Sequence, residues 1–113
     1  MVYVNDNFGK WRSDEDYFVL KPKHSGFQFT TLDVLLAHLG AKRLILTGVA
    51  ANFCVLFIAH DAYMRDYHVI VPRDCVASQT EADDESALAH MAKVTKADVR
   101  PSSEIDFSAL QKC

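Results

Sequence analysis

Between Leu44 and Val55 the chain changes its pattern, and that change constrains the fold more than any other stretch. Leu44-Ile45-Leu46-Thr47 has the composition of a β-strand and stops at Gly48. Small residues follow, and from Asn52 the composition is helical. Strand, tight turn and helix in succession is the unit from which parallel α/β sheets are built. Cys54 falls about one turn into the helix. A thiol there faces unpaired backbone N–H groups and the positive end of the helix dipole. Both favour the thiolate, which is the nucleophilic form. The same layout presents a reactive atom at the carboxyl edge of a sheet. A competing reading is bland: a free cysteine among Phe53, Val55, Leu56 and Phe57 is most often a small buried hydrophobe, and position alone favours that.

The rest of the chain repeats the alternation. Val2-Tyr3-Val4 and Tyr17-Phe18-Val19-Leu20 read as strands, with a polar, Gly9-containing loop from Asn5 to Asp14 between them. Lys21-Pro22-Lys23-His24-Ser25-Gly26 is punctuated as a turn. Thr30 or Thr31 can cap a helix that aligns Leu32, Leu35, Leu36 and Leu39 and ends at Gly40. Arg43 to Thr47 is a continuous apolar strand of the kind covered on both faces. A helix from Asn52 to Arg65 follows, with Tyr63 and Met64 packing inward, and then a strand over His68-Val69-Ile70-Val71 that Pro72 stops. Glu81 to Val94 is a helix with acidic residues in its first turn and Lys93 near its end. Ala97 to Arg100 is a short last strand, and the polar tail from Ser102 to Cys113 is expected to be mobile. The domain accordingly runs over residues 1–101, with 102–113 as a tail.

Composition narrows the functions. The chain has 113 residues, enough for one domain, and half are hydrophobic, enough for a core. A formal net charge of −3 argues against a general nucleic-acid binder. No apolar run approaches the ~20 residues of a membrane span, and Met1 to Asp6 lacks the pattern of a signal peptide. Cys54, Cys75 and Cys113 are odd in number and form no C-x-x-C pair, which points to a reducing cytoplasm rather than a disulfide scaffold. Gly48-Val49-Ala50-Ala51-Asn52 lacks the G-x-G-x-x-G spacing of a dinucleotide site.

Two further segments reach the sheet edge that Cys54 occupies. Lys21 directly follows a strand, and an amine beside the cysteine would favour its thiolate further. Lys23 and Arg73 read as solvated loop residues, Asp61 and Asp74 as turn-ordering carboxylates, and Cys75 as buried. His38, His60, His68 and His90 read as surface or packing residues.

Lys21-Pro22-Lys23-His24-Ser25-Gly26-Phe27, Thr31-Leu32, Gly48-Val49-Ala50-Ala51-Asn52-Phe53-Cys54-Val55 and Ala59-His60-Asp61-Ala62 together resemble the isochorismatase-like cysteine hydrolases. The resemblance runs from Val2 to about Pro101 and reverses the bland reading of Cys54. It implies a Rossmann-like three-layer α/β/α fold with a mostly parallel sheet, lacking the family's first strand. It implies attack of a thiolate on an amide or related carbonyl of a small molecule, through an acyl-enzyme. Cys54 matches the nucleophile and Lys21 the lysine that stabilises it. The family's non-proline cis peptide falls at Val49–Ala50, and the N–H groups of Ala50 and Cys54 would form an oxyanion hole. No metal and no cofactor are expected, because Asp6 is followed two positions later by Phe8 where a metal-binding member would carry histidine. The family's aspartate, at the end of a first strand, has no match, and Asp6 is not its equivalent. The loop between Trp11 and Tyr17 is also short. The expectation is therefore a partial chain or a catalytically impaired member serving in assembly or ligand binding. Strand edges left without a neighbour would favour a homo-oligomer.

Overall fold

The structure is a computed structural model that describes residues 2–5 and 17–110. It forms two compact units, one ending at Ala41 and one beginning at Lys42. Asp6, Gly9, Trp11 and Cys113 lie outside the described residues.

In the first unit, β1 (Val2–Asn5) and β2 (Tyr17–Leu20) pair in parallel, Val2 opposite Tyr17 and Asn5 opposite Leu20. Val19 is buried, while Tyr17 on the same face and Leu20 on the opposite one are exposed, so β2 covers a core at its Val19 end only. The loop that follows is held by its own side chains. Ser25 Oγ accepts from the Phe27 N–H at 3.2 Å, and both residues are buried. Helix α1 (Leu32–Leu39) starts at Thr31, but Thr31 makes no side-chain cap. Thr30 does the hydroxyl chemistry instead: its Oγ1 donates to the Gly26 carbonyl and accepts from the Leu32 N–H. Of the expected leucine stripe, Leu32 and Leu36 are buried, Leu35 is half-buried and Leu39 is exposed. Gly40 takes the left-handed conformation, φ 69°, that lets the Gly40 and Ala41 N–H groups close on the Ala37 and Leu36 carbonyls.

In the second unit, β3 (Arg43–Ile45) pairs in parallel with β5 (His68–Ile70), and β4 (Gly48–Val49) with β6 (Val76–Ala77). The expected strand over 43–47 thus ends at Ile45. The Leu46 N–H still reaches the Ile70 carbonyl at 2.8 Å, and the chain then turns at Gly48, φ 112°, to join a different partner. Nor is β3 covered on both faces. Ile45 is 44% exposed, and among the described residues β3 has a ladder partner on one side only. The last strand over 97–100 reduces to one bridge between Ile70 and Asp98, flanked by bonds from Val71 N–H to the Asp98 carbonyl and from Asp98 N–H to the Val69 carbonyl. The core gathers Val69, Ile70, Val71 and Met91 with Ala51, Ala59 and Ala62.

The second helix differs from its expectation too. A π-helical turn, Ala51–Val55, leads into α2 (Leu56–Met64). Tyr63 and Met64 face outward, Met64 being 69% exposed, because the buried spacing Ala51, Val55, Ala59, Ala62 lies on another side of the helix. Helix α3 (Glu81–Val94) has the expected bounds and buries Ala87, Leu88 and Met91. Beyond it the chain is tied down as far as it is described. Asp74 accepts from the Ser102 N–H at 2.8 Å and the Ser102 hydroxyl at 2.5 Å. Ile105 is buried, and α4 (Phe107–Leu110) follows.

Candidate functional site

The cysteine segment is built from small residues. Ala50 is extended (φ −97°, ψ 140°), and its carbonyl accepts from both the Phe53 N–H at 3.1 Å and the Val55 N–H at 3.2 Å. The second bond spans five residues, which opens the first turn wider than an α-helix. The peptide bond between Val49 and Ala50 is cis. Ala51 and Val55 are buried, and α3 packs against this turn and against α2. Alanines at 51, 59 and 62 permit that close approach. Cys54 sits on the turn, partly exposed, between exposed Phe53 and buried Val55. It is therefore not the fully buried hydrophobe that its apolar neighbours would suggest. Two residues earlier, Asn52 Oδ1 is buried with no hydrogen-bond partner. Nothing in the residue pattern signals that orphaned acceptor, since asparagine at a helix start ordinarily serves as a cap.

Lys21 lies in the first unit, directly after β2, half-buried, with Nζ donating to the Lys23 carbonyl at 3.0 Å. Cys54 belongs to the second unit. The pairing of the two therefore rests on the resemblance alone. His24 and Lys23 are exposed on the loop of Lys21.

Several other polar residues tie the scaffold together. Arg73 Nε donates to the Val99 carbonyl at 2.9 Å. Asp61 pairs with Arg65 at 3.2 Å, one turn along α2, rather than ordering a turn. Asp74 ties the segment before β6 to Ser102, twenty-eight residues on. Those bonds, the side-chain one first and the backbone one second, hold the Asp74 carboxyl below the usual range. Cys75 is partly exposed rather than buried, because its Sγ lies toward Asp74 at 3.8 Å instead of into the core. Two open grooves of about 430 and 500 Å³ are present, one lined by Tyr17, Val34, Leu35 and His38, the other by Tyr63, Met64, Tyr67 and His68. Neither is lined by Cys54 or Lys21.

The chain matches the family model described as the isochorismatase domain over residues 6–101. It is 38% identical to an uncharacterised isochorismatase family protein of Bacillus subtilis, over 93% of this chain and 71% of that protein. A shorter stretch, 52% of this chain and 24% of the relative, is 42% identical to the ureidoacrylate amidohydrolase of Methylorubrum extorquens. Among solved structures, the N-carbamoylsarcosine amidase of Thermoplasma acidophilum superposes with a TM-score of 0.75 at 35% identity, covering 84% of this chain and 53% of that one. The nicotinamidase of Staphylococcus aureus does so with a TM-score of 0.74 at 33% identity, covering 78% and 54%. The chain thus spans about half the length of these solved structures.

Proposed function

The chain belongs to the isochorismatase family, and on that premise we propose that it carries the nucleophile of a hydrolase acting on an amide or related C–N bond of a small molecule. One observation carries the reading: Cys54 stands partly exposed on a widened turn at the start of α2, directly after a strand and a glycine-permitted bend. Named relatives are an amidohydrolase, an amidase and a nicotinamidase, all of which open C–N bonds.

In the proposed reaction the Cys54 thiolate attacks the carbonyl carbon and a C–S bond forms. The oxygen becomes an oxyanion held by the N–H groups of Ala50 and Cys54. The C–N bond breaks, and the amine leaves with a proton. Water then attacks the thioester, giving the acid and regenerating the thiol. Lys21 stabilises the thiolate and the developing negative charge. Both proton transfers need an acid–base group. We assign that role to His24, three residues after Lys21. A second reading is favoured by the absence from these 113 residues of a match to the family's aspartate. It is a chain that presents the cysteine yet turns over poorly alone.

The test is ammonia release from nicotinamide, N-carbamoylsarcosine and ureidoacrylate, with intact-mass analysis for an adduct on Cys54. The proposal expects turnover or a trapped thioester on at least one compound, and loss of both in Cys54→Ala. Turnover that survives Cys54→Ala would refute the assignment of the nucleophile. An adduct without turnover would favour the second reading.

A further inference from the structure

Two histidines outside the cysteine segment face each other across the contact between α2 and α3. His60 Nδ1 lies 2.8 Å from the Leu56 carbonyl, one turn back along α2. A carbonyl oxygen only accepts, so in the neutral ring Nδ1 carries the hydrogen and Nε2 is left as a bare lone pair. That Nε2 is 3.1 Å from Nε2 of His90 on α3, with ring centroids 5.0 Å apart and planes at 31°. His60 is half-buried and His90 exposed, so solvent reaches the pair.

We propose that His60 and His90 form a two-imidazole binding site for a divalent transition-metal ion that ties α2 to α3. Three features support it. A ring whose Nδ1–H is fixed by a backbone carbonyl, so that Nε2 carries the lone pair, is how metal-ligating histidines are oriented. Nitrogens 3.1 Å apart can both reach one ion at ~2.0–2.1 Å. Imidazole pairs select zinc, copper or nickel over the oxygen-seeking calcium and magnesium. In the metal-free chain His90 donates Nε2–H to His60. On binding, His90 moves that hydrogen to Nδ1, both lone pairs turn to the ion, and no net proton is lost. No third histidine, cysteine or carboxylate completes a cluster among the described residues, so water fills the remaining positions. Helix α2 continues from the turn that carries Cys54, and α3 packs against both. The ion would therefore stiffen the wall behind the cysteine.

The experiment is Zn²⁺ titration of the tag-free full chain by calorimetry, together with the thermal midpoint. The expected result is one Zn²⁺ per chain and a raised midpoint. Affinity should fall at least tenfold in His90→Ala and in His60→Gln, and stay unchanged in the control His38→Ala. Long-range ¹H–¹⁵N spectra of the unaltered chain give a readout that needs no variant to fold. Zn²⁺ should shift the Nε2 resonances of His60 and His90. Absence of binding, binding that survives both substitutions, or shifts at other histidines instead would overturn the proposal.

Discussion

At the scale of single residues, exposure and backbone geometry set Cys54 apart, whereas Cys75 offers a control within the same unit. Both thiols are partly exposed, but only Cys54 sits at the opening turn of a helix of nine residues. As the proposed nucleophile, Cys54 is expected to be the more reactive of the two thiols. Iodoacetamide should therefore label Cys54 several-fold faster than Cys75 at neutral pH, and Lys21→Ala should slow it. Equal rates, read by peptide mass spectrometry, would remove the case for an activated thiol. Asp74 supports a second prediction, on stability. Its carboxyl is held below the usual value by the Ser102 side chain and then by the Ser102 backbone. A depressed carboxylate stabilises the fold above its unfolded value of about 3.9 and loses that contribution as pH falls through the folded value. Ser102→Ala should thus lower the urea midpoint at neutral pH, and the gap from the parent chain should close in acid. A gap that persists unchanged at low pH would exclude the ionised carboxylate as its source.

At the scale of elements, α3 shows how a helix can be read directly. Thr80 Oγ1 accepts from the Asp83 N–H at 3.1 Å, Glu81, Asp83 and Asp84 occupy the first turn, and Lys93 the last. Thr80→Ala should cost about 0.5–2 kcal/mol in chemical denaturation, the usual range for a lost cap. A loss within error would mean that the end of α3 is secured by packing instead. Periodicity and charge made this helix legible, as Gly40 did the end of α1. The strand after Ala41 was less legible. Its apolar run is continuous, but partner choice changes at Gly48, and ladder pairing is a tertiary fact that composition does not encode. The cysteine's place after a strand and turn was readable for the same local reasons. The π register was not, because it depends on the Ala50 carbonyl accepting from a residue five positions on rather than four. Helical spacing alone offers α2 more than one apolar face, and the small residues Ala51, Ala59 and Ala62 take the buried one, which leaves Tyr63 and Met64 outside. A partnership of Lys21 with Cys54 is implied by the resemblance alone, since the two belong to different units.

At the scale of the whole molecule, the second unit leaves considerable apolar surface in water. Ile45 on β3, Val49 on β4, Phe53 on the π turn and Phe57 on α2 are each more than two-fifths exposed. Among the described residues, β3 has a ladder partner on one side only, and an unpaired strand edge is a template for another chain. Apolar side chains beside such an edge add a driving force proportional to the area they remove from water. Together they lead us to expect reversible self-association. Sedimentation velocity should show a weight-average mass that rises with concentration. Ile45→Lys with Phe57→Glu should return the chain to the monomer, because a charge at each position would have to be desolvated on contact. Both side chains already face solvent, so the thermal midpoint of the dilute variant should stay close to that of the parent. That separates loss of association from loss of fold. A parent chain that remains monomeric at the highest concentration reached would show that this surface, although apolar, is not adhesive to its own kind.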